Sequence, residues 1–193
     1  MAERPMFMQE TSARRLTGTE RGTAYHRAMQ LLDLAALGAL EGRALADAIR
    51  LQLDGFAEGR LMTEVQREAV RPAMLARFLD GELGRRLRRA EEVHREWPFN
   101  VMLRVDEALT AEEAGRFGSE ELLVQGSVDC CFLEDGEWVL LDYKTDRSDD
   151  LDALCAHYRK QLHVYALALE RITGVRVRQR VLCLLASGVA VDV

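Results

Sequence analysis

The sequence predicts an α/β fold: a central sheet flanked by helices, preceded by an N-terminal helical region. Three observations carry that prediction. The first half repeats its apolar residues at helical spacing. From Glu96 the period shortens into strand-like runs bounded by turns. Between the last two runs lies one long amphipathic stretch that ends at a glycine.

At 193 residues the chain fits one domain with a substantial core. Residues 1–18 read as a loose leader, 19–92 as a helical region and 93–193 as a sheet-containing core. Thr19 is a plausible N-cap for "ERGTAYHRAMQLLDLAAL", in which Tyr25, Met29 and Leu32 fall along one face. "ALADAIRLQLDGFAEG" gives a second helix closed by Gly59. Shorter helical pieces fill the stretch to about residue 92. The arginine-rich "RRLRRAEEVHRE" among them reads as a solvated face rather than a DNA-facing patch. The strands are "PFNVMLRV", "LLVQGSVDCCFL", "EWVLLDYK" and "VRVRQRVLCLL", with the long helix over 151–173 stopped by Gly174.

Hydrophobic content of 48% and charged content of 30% are those of a globular chain. No apolar run reaches ~18 residues, so no membrane span is expected. "MAERPMFMQE" lacks an apolar signal core, and a cytoplasmic setting is the expectation. A net charge of −6 argues against a module that grips nucleic acid over its whole surface, yet leaves room for a phosphodiester chemistry run by clustered carboxylates and a metal. No phosphate-binding G-x-x-x-x-G-K-[ST] occurs. Cys130, Cys131, Cys155 and Cys183 lack the spacing of a zinc or iron–sulfur site and read as small buried residues.

"EDGE", Glu134–Glu137, is a hairpin signal. With Asp135 and Gly136 as the loop, Val128 falls opposite Tyr143, Cys130 opposite Leu141 and Phe132 opposite Val139, an apolar face on both strands. The other face then opposes Asp129 to Asp142 and Ser127 to Lys144. Opposed side chains have Cβ atoms about 4.5–5.5 Å apart, and like charges so placed destabilise a sheet. Lys144 cannot neutralise both acids; a divalent cation can, and oxygen ligands favour Mg²⁺ or Mn²⁺. The plain alternative is a bulged turn that shifts the register and leaves the acids on the surface.

Only two of the 26 basic residues are lysines, Lys144 and Lys160. An ammonium is a compact charge whose proton affinity responds to its surroundings, whereas a guanidinium is a broad, permanently charged fork. A lysine at 144 therefore suits a role in positioning water or stabilising a phosphoryl group. A surface ion pair with Asp142 or Asp146 is the competing account.

"GSVD" (Gly126–Asp129), "DYK" (Asp142–Lys144) and "QLHVY" (Gln161–Tyr165) together resemble the PD-(D/E)XK nuclease superfamily, and within it the RecB-type group. Gly22 and His26 match that group's upstream G-x-x-x-H. The resemblance is strongest to the nuclease part of AddA-type helicase–nucleases and covers nearly the whole chain. It implies a restriction-endonuclease-like mixed sheet and a Mg²⁺- or Mn²⁺-dependent exonuclease acting on DNA, with single-stranded ends as substrate. The implied partners are a helicase portion and an AddB-like subunit, in double-strand-break repair, with no membrane.

By resemblance, His26, Asp129, Asp142 and the Tyr143 carbonyl would hold the metal. Lys144 would orient water or stabilise charge, and Gln161 and Tyr165 would sit beside them and touch DNA or the catalytic groups. From spacing alone, Gln161 equally fits a partly exposed helix position near the apolar stripe of Tyr158, Leu162 and Leu169, and His26 fits a core histidine bonded to a backbone carbonyl. Glu96 is a site residue or a strand-edge charge. A nuclease-like scaffold that binds DNA or a partner without cutting is the alternative function. A CRISPR-adaptation-type nuclease would bring a cysteine quartet that these positions do not supply.

Overall fold

The computed structural model describes residues 16–108, 115, 120–145 and 150–193. Most of the expected leader, and Asp146, lie outside the described residues. Helix α1 spans Gly18–Leu31. Its N-cap is Thr17, not Thr19: the Thr17 side chain accepts from the Glu20 amide while the Glu20 carboxylate takes the Thr17 amide. This capping box places the helix start two residues earlier than the expected cap. The helix also stops sooner than its apolar period suggests. Asp33 breaks the run and caps a short second helix, α2, Leu34–Leu37, through the Ala36 amide. An aspartate at that position satisfies a new helix start better than it continues an old one.

Helix α3 covers Gly42–Glu58 and ends at Gly59, as expected. Helices α4 (Glu64–Ala69), α5 (Pro72–Asp80) and α6 (Glu82–Arg89) complete the helical region. The arginines of α6 do more than face solvent. Arg86 forms a fork with Glu134 at 2.9 and 2.7 Å, and Arg88 donates to the Gly38 and Leu40 carbonyls, so they tie the helices to the hairpin and to one another.

Strand β1 runs Val93–Arg104, three residues ahead of the expected start, followed by a single helical turn, α7, Val105–Ala108. Strands β2 (Glu121–Glu134) and β3 (Glu137–Lys144) form the hairpin. Asp135 and Gly136 take positive φ of 53° and 79°, the twist that a two-residue turn requires. Helix α8 (Leu151–Thr173) ends on left-handed Gly174 and leads to β4 (Val177–Leu184). A last strand, β5 (Val189–Asp192), was not among the expected elements; its four residues carry too little pattern to stand out.

The sheet is mixed, in the order β1-β2-β3-β4-β5, with β3 and β4 parallel and the other neighbours antiparallel. Helix α8 is the crossover between the parallel pair. Two cores result. On one face Cys130, Phe132, Val139, Leu141, Tyr143 and Cys183 pack beneath the helical region; on the other Val128, Cys131, Leu140, Leu182 and Leu184 pack beneath α8. Strand β3 is buried on both faces, which explains its nearly unbroken apolar run. A charged residue in it needs a local reason.

Candidate active site

The hairpin pairs in the expected register from Glu134–Glu137 to Cys130–Leu141. There the pairing stops. Asp129 drops out of the ladder with β3, and the pairing of β1 with β2 also passes over it, skipping from Arg95–Cys130 to Trp97–Val128. Glu96, the residue left out on β1, has φ of +48°, a conformation that a non-glycine residue in a strand rarely adopts. Side-chain alternation breaks at the same place. Cys130 faces the helical region, yet Val128 lies in the core under α8 and not, as expected, beside Tyr143. The expected face-to-face pairing of Asp129 with Asp142 and of Ser127 with Lys144 is therefore not part of a regular ladder. The strands part, and side-chain chemistry fills the gap.

Asp129 fills it directly. Its Oδ2 accepts the Tyr143 amide at 2.7 Å, the bond a ladder partner would otherwise take, while Oδ1 lies 3.3 Å from His26 Nδ1. Glu96 Oε1 approaches the same nitrogen at 3.4 Å, and His26 Nε2 meets the Tyr143 carbonyl at 3.0 Å. His26 is thus bonded to a backbone carbonyl, as a core histidine would be, and also to two acids, which a core histidine would not be. Both ring nitrogens face acceptors, so only the doubly protonated ring can donate to all of them. Burial opposes that charge, but the hydrogen bonds and charges of Asp129 and Glu96 outweigh it and push the imidazole up to about 10. Helix α1 delivers His26 here by packing on β1, with Gly22 one turn earlier facing the Thr145 hydroxyl.

Asp142 and Lys144 project from β3 toward α8. Asp142 is the one buried charged residue among those described, 3% exposed. Its Oδ2 lies 2.7 Å from Lys144 Nζ as an ion pair, yet no aligned hydrogen-bond donor meets that oxygen. Burial, and then the charge of Asp129, raise its proton affinity against the pull of Lys144. The pairing of Lys144 with Asp142 expected of a surface ion pair is present, but it is not on the surface. For Lys144 burial favours the neutral amine; the Asp142 charge prevails and holds the ammonium above its usual range. Its other side rests on the Tyr158 ring, 4.2 Å from the centroid.

Helix α8 carries the remaining expected residues. The Tyr165 ring packs edge-on against Phe99 with centroids 5.1 Å apart, and its hydroxyl would lie 3.3 Å from a Cβ placed on Gly126. Gln161 lies between Tyr158 and Tyr165 on the same stripe of the helix. Neither Gln161 nor Tyr165 hydrogen-bonds the carboxylates or Lys144 among the described residues. Sequence spacing puts Tyr158 in an apolar stripe and gives it no role at the site; its place one turn before Gln161, above the lysine-bearing strand, is the signal that could have found it.

The donors suit a divalent cation. His26, Glu96 and Asp129 each offer a ligand atom within 4.8 Å of the others. Asp142, beside them electrostatically, is a buried acid with an unsatisfied oxygen. Imidazole and carboxylate oxygens are the ligands that hard and borderline dications take. Glu96, an uncertain candidate by sequence, belongs to the cluster. The Tyr143 carbonyl, expected as a ligand, is engaged by His26 but retains a second lone pair.

The family model of the PD-(D/E)XK nuclease superfamily matches residues 4–189, nearly the entire sequence. The chain belongs to the PD-(D/E)XK nuclease superfamily. Its mixed sheet between helices is the restriction-endonuclease-like fold of that superfamily. Among similar PD-(D/E)XK proteins is an ATP-dependent helicase/nuclease subunit of Heliobacterium modesticaldum, 39% identical over 96% of this chain and 13% of the relative. Its namesakes from Clostridium acetobutylicum and Clostridium kluyveri are 34% and 30% identical, over 97% and 98% of this chain and 15% of each relative. The chain therefore spans about a seventh of the length of the curated relatives it matches.

Proposed function

We propose that this chain is a metal-dependent DNA exonuclease domain of the AddA type, hydrolysing phosphodiester bonds in single-stranded ends with Mg²⁺ or Mn²⁺. In this reading a helicase portion feeds it DNA, it works with an AddB-like subunit, and the setting is double-strand-break repair in the cytoplasm. The names of its relatives support the helicase–nuclease context. One observation carries the chemistry: an imidazole and three acids meet where β2 and β3 part, with a charged lysine beside them.

His26, Glu96, Asp129 and Asp142 would hold the cation, which supplies Lewis-acid charge at the scissile phosphate. The chain's own groups do the rest. Lys144, kept protonated by Asp142, acts as a donor and a point charge toward a phosphoryl oxygen rather than as a base. Asp129 locks its geometry through the Tyr143 amide, so the acid is positioned before substrate arrives. Gln161 and Tyr165 line the α8 side, where a polar amide and a phenol can meet the DNA strand.

The test is cleavage of single-stranded DNA with Mn²⁺ or Mg²⁺. Wild type should cut only with the metal. Asp129→Ala and Lys144→Ala should each lose about 100-fold or more while keeping the native circular dichroism spectrum. Variants that cut like wild type would overturn the assignment. A folded wild type that binds DNA but never cuts would favour the scaffold function.

A further inference from the structure

Lys144 has a long, flexible stem, and its ammonium is useful only if it stays at one place. Two contacts hold it. Asp142 Oδ2 lies 2.7 Å away, and the Tyr158 ring centroid lies 4.2 Å away. The carboxylate alone would draw the ammonium down onto itself, because the pair sits in a poorly solvated pocket; the lysine side chain is 17% exposed and the aspartate 5%. An aromatic face attracts a cation through its quadrupole without neutralising it. The ring therefore offers a second seat that leaves the positive charge available to a ligand.

We propose that Tyr158 is a positioning residue for Lys144, its ring holding the ammonium at the edge of the cleft, in line for a phosphoryl oxygen. This rests on the nuclease reading above. Helix α8 is built for the task. Tyr158 contacts the lysine of β3, and seven residues on, Tyr165 contacts Phe99 of β1 and overhangs Gly126 of β2. The helix is thus pinned on both sides of the place where the strands part, and the ring over Lys144 is fixed by the same packing that fixes Gln161. Tyr158 itself is half-buried against the core under α8, which limits its rotation. Its hydroxyl is not what the contact uses; the ring face is.

Having only two lysines makes the contact measurable without turnover. Selective labelling of lysine methylenes should give two proton signals, assigned by the loss of one in Lys144→Ala. In the folded chain the Lys144 ε-protons should be shifted upfield by the Tyr158 ring current. The shift should persist in Tyr158→Phe and vanish in Tyr158→Leu. In steady-state cleavage of single-stranded DNA, Tyr158→Leu should lower kcat about tenfold with KM changed less than about twofold, and Tyr158→Phe should restore wild-type kcat. An unshifted Lys144 signal in wild type overturns the proposal, as does full kcat in Tyr158→Leu or equal damage by both substitutions. Lys144→Ala separates the two claims. If it cuts normally, the assigned role of Lys144 fails; if it is inactive while Tyr158→Leu is unimpaired, only the positioning role fails.

Discussion

At His26, Nε2 faces the Tyr143 carbonyl and Nδ1 faces Glu96 and Asp129, an arrangement that calls for imidazolium in the absence of a cation. A ring pushed up to about 10 against an ordinary 6.5 is protonated more readily folded than unfolded, so the stability it confers is complete below about pH 6.5 and is lost as pH rises through about 10. The stability gap between metal-free wild type and His26→Gln, followed by urea unfolding, should therefore shrink steadily across that window. A gap independent of pH would contradict the assigned contacts. The motif residues His26, Asp129, Asp142 and Lys144 were legible in the sequence because their spacing is tied to their chemistry. Tyr158 was not, because an aromatic residue on a helix face looks the same whether it packs on leucine or on an ammonium. Glu96 stayed ambiguous because its inclusion depends on a positive φ that no residue type at that position announces.

Strand β2 shows how an element is bent to serve the site. Its alternation holds from Phe132 to Cys130 and resumes, turned over, at Val128, leaving Asp129 outside both ladders. The turn chemistry of Asp135 and Gly136 made the hairpin register readable; the break was invisible, since both registers look apolar on paper. Gly126 has a concrete reason in this element. A Cβ there would lie 2.8 Å from Phe99 Cζ and 3.3 Å from the Tyr165 hydroxyl, so the glycine lets α8 close onto the ribbon. Gly126→Ala should cost about 1–3 kcal/mol by chemical denaturation, as the Phe99 ring gives way, and should lower cleavage by displacing Tyr165. An unchanged midpoint would mean that the ring moves freely. Helix α1 teaches the converse. Its apolar period continues into α2, and only the capping preference of Asp33 marks the break.

Across the whole molecule, two apolar layers grip a five-stranded sheet from opposite sides, and the polar site opens where that grip is interrupted. The layers were readable from hydrophobic spacing, and the long α8 crossover gave the α/β class; β5 and the early start of β1 were too weakly patterned to find. With a net charge of −6, the protein has little general attraction for DNA, so recognition rests on the cation and on Lys144. The claim beneath all of this is that the acids beside His26 share a divalent ion. Calorimetric titration of Mn²⁺ into the metal-free protein tests it most directly. Wild type should bind with a defined stoichiometry, and Asp129→Ala and Glu96→Gln, each still folded, should lose that heat or weaken binding by about tenfold or more. Equal binding by all three proteins would contradict the account.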